Sequence, residues 1–319
     1  MESVRSIDAA VAGVCDYIAD QVDVLRANVP AALAELAGDS VHDARVATRR
    51  LKSAIELLEP LIPRQPGRRL NRAGRRIRRL LGPLRDIDVA IGHLNDLPLP
   101  KRAKPGRDWL VRHLREQHAT IEQSAKGHDA HDHLGRVDRL AELLEQVNEI
   151  APALRWRIAE SAREQFHAFA TDANALLDPA AAVDPHQVRI DGKRLRYTLE
   201  IALRAGVRLP KSLPKRFKKL QDMLGAWHDY VVLIDIAHAA AKQHQLSHLA
   251  THDLRALLPL IDLLARRAEA ELTRFKRAWT KARSPIETTL RRRLPLARAR
   301  VTPAGAMPVE PSVSDASHD

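Results

Sequence analysis

The chain has 319 residues, of which 45% are hydrophobic and 29% are charged, proportions typical of a folded globular protein rather than a disordered one. The 52 lysine and arginine residues outnumber the 40 aspartate and glutamate residues, giving a formal net charge of +12, which favours an anionic partner. Aromatic residues make up only 3% and alternating β-branched runs are missing, which argues against all-β and α/β folds.

Apolar residues recur at helical spacing almost from end to end, so we expect an all-α fold. Proline and glycine clusters separate the segments. The predicted helices span about residues 4–28, 42–60, 66–96, 107–125, 134–149, 153–177, 186–205, 213–244, 248–281 and 285–299. We expect residues 283–301 to form a separate C-terminal helix and residues 302–319, rich in small residues, proline and acid, to be disordered.

Cysteine content and apolar runs predict the compartment. Cys15 is the only cysteine, so the chain cannot form an internal disulfide. The first residues contain acids where a secretory or transit peptide would carry only bases. No uninterrupted apolar stretch approaches the roughly 18 residues that a transmembrane helix needs. We therefore expect a cytoplasmic protein without a membrane partner.

Two pairs of segments repeat along the chain. The segment VHDARVATRRLKS from Val41 matches PHQVRIDGKRLRY from Pro185 at seven positions, at an offset of 144 residues. The segment RRIRRLLGPLRDIDV from Arg75 matches KKLQDMLGAWHDYVV from Lys218 at an offset of 143 residues. The repeats predict two pseudosymmetric four-helix bundles from an internal duplication, covering residues 1–149 and 150–282.

The repeated segments are strongly basic on one helix face and apolar on the opposite face. The basic windows are residues 42–52, 64–79, 186–196 and 211–219. Together they hold 21 bases and two acids, so the rest of the chain carries a net charge of −7. Like charges at helical spacing cost stability, and such a local conflict usually signals function, although each stripe alone is also compatible with a solvated face.

The spacing and chemistry of the bases favour a linear polyanion. Bases along a helix face recur about every 5 to 6 Å, and the planar fork of arginine favours phosphate over carboxylate. Phe217 and Trp227 project to the apolar side of their helix, which argues against stacking on nucleic-acid bases. His42 and His186 precede basic runs on the same face, where each can be a structural residue or a partner of an anion.

The segments VHDARVATRRLKS, LLGPLRDIDV, HQVRIDGKRLRY and MLGAWHDYVV resemble the signature elements of the CHAD family, the conserved histidine α-helical domain. The resemblance covers about residues 5–282, with both halves in order. It implies two four-helix bundles and binding of inorganic polyphosphate through a basic central surface. It also implies a stand-alone protein with polyphosphate granules as a location, although the family includes fusions to CYTH triphosphatase domains.

Carried over by position, the resemblance and the basic faces predict one shared polyphosphate-binding surface. Its predicted residues are His42, Arg45, Arg49, Arg50, Lys52, Arg72, Arg75, Arg76, Arg79, His186, Arg189, Lys193, Arg194, Arg196, Lys215, Lys218 and Lys219. Two departures stand out. Gly192 lies inside the second histidine helix, where glycine lowers helix propensity but permits close packing, and Gln221 and Asp222 replace Arg78 and Arg79.

We expect no catalytic residues, cofactor or metal. No nucleophile lies near a base, and no glycine-rich phosphate loop is present. A polar linker explains His128, His131 and His133 better than a zinc site does. Asp86 and Asp229 correspond across the repeat and are expected to pair with arginine. A helical nucleic-acid-binding module and a polyphosphate-processing phosphohydrolase remain as alternatives.

Overall fold

The computed structural model describes residues 8–35, 39–61, 64–125, 151–210, 212–246 and 251–294. The described part is all-α, without strands, which confirms the predicted fold class. Its α-helices are α1 Ala9–Glu35, α2 Asp39–Leu58, α3 Arg64–Asp96, α4 Lys104–Ala125, α5 Ala151–Ala175, α6 Pro185–Arg204, α7 Ser212–Leu246 and α8 Thr251–Arg293. The predicted helix at 134–149, the three loop histidines and the tail at 302–319 lie outside the described residues.

The helix order is compatible with an internal duplication. The first repeated pair falls on α2 and α6, and the second falls on α3 and α7. Side chains repeat as well: Lys52 pairs with Glu56 at 2.7 Å, and Arg196, 144 residues later, lies 3.8 Å from Glu200. The predicted domain boundary after residue 149 stays a prediction.

Three clusters of buried apolar side chains form the core. The first joins α1, α2 and the N-terminal part of α3, with Leu154 and Ile158 of α5 added. The second joins α5, α6, the N-terminal part of α7 and the C-terminal part of α8. The third combines the C-terminal parts of α3 and α7 with α4 and the N-terminal part of α8. The first and third clusters both take side chains from the two halves, so they pack the halves together.

Two glycines allow helices from different halves to touch. A side chain at Gly13 of α1 would collide with the backbone carbonyl of Arg204, and one at Gly106 of α4 would collide with that of Ala256. The missing Cβ therefore permits close contacts between α1 and α6 and between α4 and α8. At these two places, helices of the two halves are in direct backbone contact.

The last helix differs from its predicted form. Residues 283–293 continue α8 without the predicted break, although Pro285 lies inside the helix and removes one backbone hydrogen bond. The reason is burial, since Ile286 and Leu290 continue the apolar face that starts at Phe275. Among the described helices, none combines the length and the apolar content that a membrane span requires.

Candidate functional site

The two histidine helices present their bases through the same helical spacing. At the start of α6, the Asp184 side chain accepts a 2.8 Å hydrogen bond from the His186 backbone N–H, and Pro185 occupies the first turn. Arg189 and Lys193 follow His186 three and seven residues later, so they share one face. His42, Arg45 and Arg49 repeat this arrangement on α2.

Helices α2, α3, α6 and α7 enclose a cavity of about 640 Å³, here called the central cavity. Both halves supply its polar lining, and the predicted site residues His42, Arg45, Arg49, His186 and Arg189 all reach it. The other polar lining residues are Arg85, Asp86, His93, His228 and Asp229. The structure thus brings bases that are 144 residues apart in sequence to one site.

On the α2–α3 side, arginines are tied to the protein while remaining charged. Arg45 Nη2 donates a 2.9 Å hydrogen bond to Asp86 Oδ1, which confirms the predicted pairing of Asp86 with arginine. Arg78 Nη1 donates to the Thr48 carbonyl at 3.1 Å. Burial lowers the pKa of both guanidiniums, and Arg49 lowers it further. Three cations are therefore crowded at this junction.

On the α6–α7 side, burial is the dominant effect. It lowers the pKa of Lys193 to about 7, with further contributions from Arg189 and Arg49. Burial also lowers the pKa of Arg189, against the attraction of Asp229. Because Arg49 belongs to α2 and Lys193 to α6, the cations of the two halves face each other across a poorly solvated space.

A histidine pair lies on the same side. His186 Nδ1 and His228 Nδ1 are 3.2 Å apart, so one ring must donate to the other, and they cannot both carry a proton there. Burial, followed by the charges of Arg189 and His186, lowers the pKa of His228 to about 4. His228 is therefore neutral at pH 7 in the unliganded protein.

A second cavity, of about 560 Å³ and here called the side cavity, adjoins the central cavity through His93, Arg189 and Asp229. Its charges are balanced rather than positive. The cations are Arg189, Lys193 and Arg196, and the carboxylates are Asp96, Asp222 and Asp229. The central cavity has four lysine or arginine side chains and two carboxylates, so it is the more attractive of the two for an anion.

Several buried donors at these cavities find no acceptor within the described protein. They are Arg45 Nη1, Arg85 Nε, Arg189 Nε, Arg196 Nε and Gln221 Nε2. Guanidinium groups can only donate hydrogen bonds, and a buried donor without an acceptor is costly. A ligand rich in anionic oxygens offers the kind of acceptor that these donors lack.

Some predicted site residues are engaged elsewhere. Arg50 Nε binds Glu200 at 3.1 Å across the two halves, and Lys52 binds Glu56. Arg194 borders a separate small gap together with Glu56 and Arg157. These three bases line neither the central nor the side cavity. An acid of the opposite half holds Arg50, and an acid of the next helical turn holds Lys52.

The bases predicted on the third helices form exposed rows outside both cavities. They are Arg72, Arg75, Arg76 and Arg79 on α3 and Lys215, Lys218 and Lys219 on α7. Of these, Lys218 is held by Asp222 at 2.8 Å. The rows can therefore add to a bound polymer only where it extends beyond the central cavity.

Sequence reasoning missed three groups that line the central cavity: Arg85, His93 and His228. A signal for two of them exists, because Arg85 and His228 occupy equivalent positions of the second repeat. Arg78 and Arg85 are also seven residues apart, on one face of α3. Within the part of the chain that the structure describes, no group of three or more His, Cys, Asp or Glu side chains is placed to hold a metal ion.

Comparison with known proteins supports the resemblance seen in the sequence. A family model described as the CHAD domain matches residues 16–238. The chain is also similar to the crystal structure of the CHAD domain from the plant Ricinus communis, with 21% identity, a TM-score of 0.57, and coverage of 93% of this chain and 97% of that chain. At this identity the likeness shows the fold alone. The search of curated proteins gives no match.

Proposed function

The chain belongs to the CHAD family, and from this premise we propose that it binds inorganic polyphosphate in the central cavity and on the adjoining basic helix faces. One observation carries the proposal. Arg45 and Arg49 of the first half and Arg189 of the second half line the central cavity, and Lys193 lines the adjoining side cavity beside Arg189. In such a poorly solvated space, water screens the attraction between these cations and an anion only weakly. An anion that reaches both halves is the ligand that this arrangement favours.

The chemistry of the lining fits phosphate oxygens. Guanidinium forks offer paired donors to non-bridging oxygens. Three arginines that line the central cavity, Arg45, Arg85 and Arg189, each have a buried donor atom without an acceptor in the described protein. In the pair of His186 and His228, the ring that accepts at Nδ1 carries its proton on Nε2 and can donate one further hydrogen bond. A chain of linked phosphates supplies one charge per unit, so it can fill the central cavity and continue along the exposed arginines.

The same features argue for binding rather than turnover, and for polyphosphate rather than nucleic acid. Asp86 accepts a hydrogen bond from Arg45, and Asp229 lies 3.9 Å from His93 and near the charge of Arg189, so both carboxylates act as partners of bases. Phe217 and Trp227 are only 1% and 9% exposed and cannot serve as stacking platforms for bases. We further propose that the protein acts in the cytoplasm on polyphosphate granules.

The direct test is a double charge reversal, Arg49→Glu with Lys193→Glu. We expect it to abolish polyphosphate binding at physiological salt while circular dichroism shows unchanged helicity. The matched control is Arg277→Glu with Lys281→Glu, which makes the same charge change at exposed positions of α8. Equal affinity of the site variant and the control would contradict the assigned surface.

Competition and turnover assays separate the alternatives. Wild-type binding should weaken steeply with salt, because counterions are released. Duplex and single-stranded DNA should compete poorly at physiological salt; strong competition would favour a nucleic-acid-binding module. Release of phosphate on incubation with polyphosphate and Mg²⁺ or Mn²⁺ would instead indicate a phosphohydrolase.

A further inference from the structure

The third helices of the two halves differ where each approaches the central cavity. On α3, four exposed arginines follow one another at i, i+4, i+7 and i+11, on one helix face. This α3 stripe consists of Arg68, Arg72, Arg75 and Arg79. Gly82 and Asp86 continue the same face to the central cavity. With a rise of about 1.5 Å per residue, the stripe is about 16 Å long.

The α3 stripe is electrostatically joined to the central cavity. Arg78 lies between them, fixed by its hydrogen bond to the Thr48 carbonyl of α2. Besides burial, the charges of Arg49 and Arg75 lower the pKa of Arg78. Arg78 therefore interacts electrostatically both with Arg49, which lines the central cavity, and with Arg75, which belongs to the α3 stripe. Positive charge therefore extends from the cavity onto the exposed face of α3.

The matching path on α7 is interrupted. Lys215 and Lys218 occupy the positions of Arg72 and Arg75, but Asp222 occupies that of Arg79 and Gln221 that of Arg78. Both carboxylate oxygens of Asp222 accept hydrogen bonds from Lys218 Nζ, at 3.1 and 2.8 Å. Asp222 also lines the side cavity. A negative group thus stands at the junction and cancels the nearest base.

We propose that a polyphosphate chain held in the central cavity leaves it along the α3 stripe, and that Asp222 blocks the equivalent exit along α7. This inference rests on the proposed function. Each additional phosphate on α3 meets an arginine, whereas the first phosphate to leave toward α7 meets a carboxylate. Binding is therefore one-sided, and the affinity gained with chain length comes from the α3 stripe.

A reciprocal swap of the two equivalent residues tests the inference. Both positions are exposed, so Arg79→Asp and Asp222→Arg should leave the fold intact. Affinities for tripolyphosphate, which fits within the cavity, and for a long polyphosphate are measured by calorimetry at one salt concentration. We expect Arg79→Asp to weaken long-chain binding roughly tenfold and Asp222→Arg to strengthen it several-fold, with tripolyphosphate changed less than about twofold.

Arg76→Asp is the matched control, because it makes the same charge change on α3 but off the stripe. It should weaken long-chain binding clearly less than Arg79→Asp does. Equal loss in the two variants, an unchanged Asp222→Arg protein, or an equal effect on tripolyphosphate would overturn the one-sided path. A wild-type protein that binds neither ligand would instead contradict the proposed function itself.

Discussion

The two sides of the site hold their positive charge in different ways. On the α6–α7 side the cations that line the cavities, such as Arg189 and Lys193, are partly buried, and burial lowers the pKa of Lys193 to about 7. On the α3 side they are many and exposed, as in the α3 stripe. Buried charges interact strongly because water screens them little, but they cost stability. Exposed charges cost less and are screened by salt.

The comparison predicts its largest effect for the removal of a single buried cation. Arg189 lines both cavities, and its Nε has no acceptor within the described protein. We expect Arg189→Gln to weaken polyphosphate binding roughly 10- to 100-fold, the value of a charge-assisted hydrogen bond in a poorly solvated site. The exposed counterpart Arg76→Gln should cost less than about threefold.

Fluorescence or calorimetric titration of both variants at two salt concentrations checks this expectation. The Arg189→Gln loss should persist at high salt, whereas the Arg76→Gln loss should shrink. If the two variants lost the same affinity and responded alike to salt, the distinction between buried and exposed cations would have no functional meaning.

The second-largest expected effect concerns the pH dependence of polyphosphate binding. In the free protein Lys193 has a pKa of about 7, because of burial and then of Arg189 and Arg49. A bound polyanion favours the charged amine and raises that pKa, so binding takes up a proton above neutral pH. We expect affinity to fall roughly tenfold from about pH 6.5 to about pH 8.5.

The control is Lys193→Arg, since a guanidinium keeps its charge throughout this range. Its affinity should change much less with pH than that of the wild type. Calorimetry in two buffers of different ionisation enthalpy measures the proton uptake directly. Identical pH profiles of the wild type and Lys193→Arg would show that Lys193 does not cause the pH dependence of polyphosphate binding.

Lys193 should have opposite effects on binding and on stability: it favours polyphosphate binding but lowers the free energy of unfolding. The pKa of Lys193 is lower in the folded protein than its ordinary value of 10.5, so the unfolded chain holds the proton more tightly. Burying the charged lysine destabilises the folded state fully below about pH 7. This destabilisation disappears as the pH rises toward the pKa of lysine in the unfolded chain. We expect Lys193→Met to raise the free energy of unfolding at pH 7 by roughly 1 kcal/mol while weakening polyphosphate binding.

Thermal and urea unfolding at about pH 7 and about pH 10 measure this effect, and the gain should be smaller at the higher pH. A variant that is less stable than the wild type at pH 7 would show that the lysine contributes to packing instead. Lysine at this position sacrifices stability, which is expected of a residue kept for binding.

The sequence predicts which bases share a helix face at this site, but it does not predict which of those bases are buried. The repeat and the helix faces place His42, Arg45 and Arg49 opposite the core, and the structure has them at the central cavity. A helical wheel treats every position on a face alike, however, and cannot show where two helices cross. On the wheel Arg50 is therefore equivalent to Arg49, whereas in the structure Arg50 binds Glu200 of the other half.

The last difference between the halves concerns the backbone at Gly192, which occupies the position of Thr48 in the repeat. A Cβ at Gly192 would lie 3.2 Å from both Gln221 Nε2 and Phe169 Cε2, which supports the expectation of close packing. Gly92 of α3 has nothing within 4 Å of such a Cβ and is the matched control. Both glycines lie within helices, where alanine is intrinsically better by about 1 kcal/mol.

Gly92→Ala should therefore raise the free energy of unfolding by up to about 1 kcal/mol. Gly192→Ala should raise the free energy of unfolding by less than Gly92→Ala does. The difference between the two variants measures the cost of moving Phe169 and Gln221 away from the new methyl group. Because Gln221 lines the side cavity, Gly192→Ala should also alter polyphosphate affinity, by less than about threefold, whereas Gly92→Ala should not. Chemical denaturation of the two variants measures the free energy of unfolding, and titration measures the polyphosphate affinity. An equal gain in the free energy of unfolding at the two positions would mean that the close contact at Gly192 imposes no constraint on the α6–α7 side.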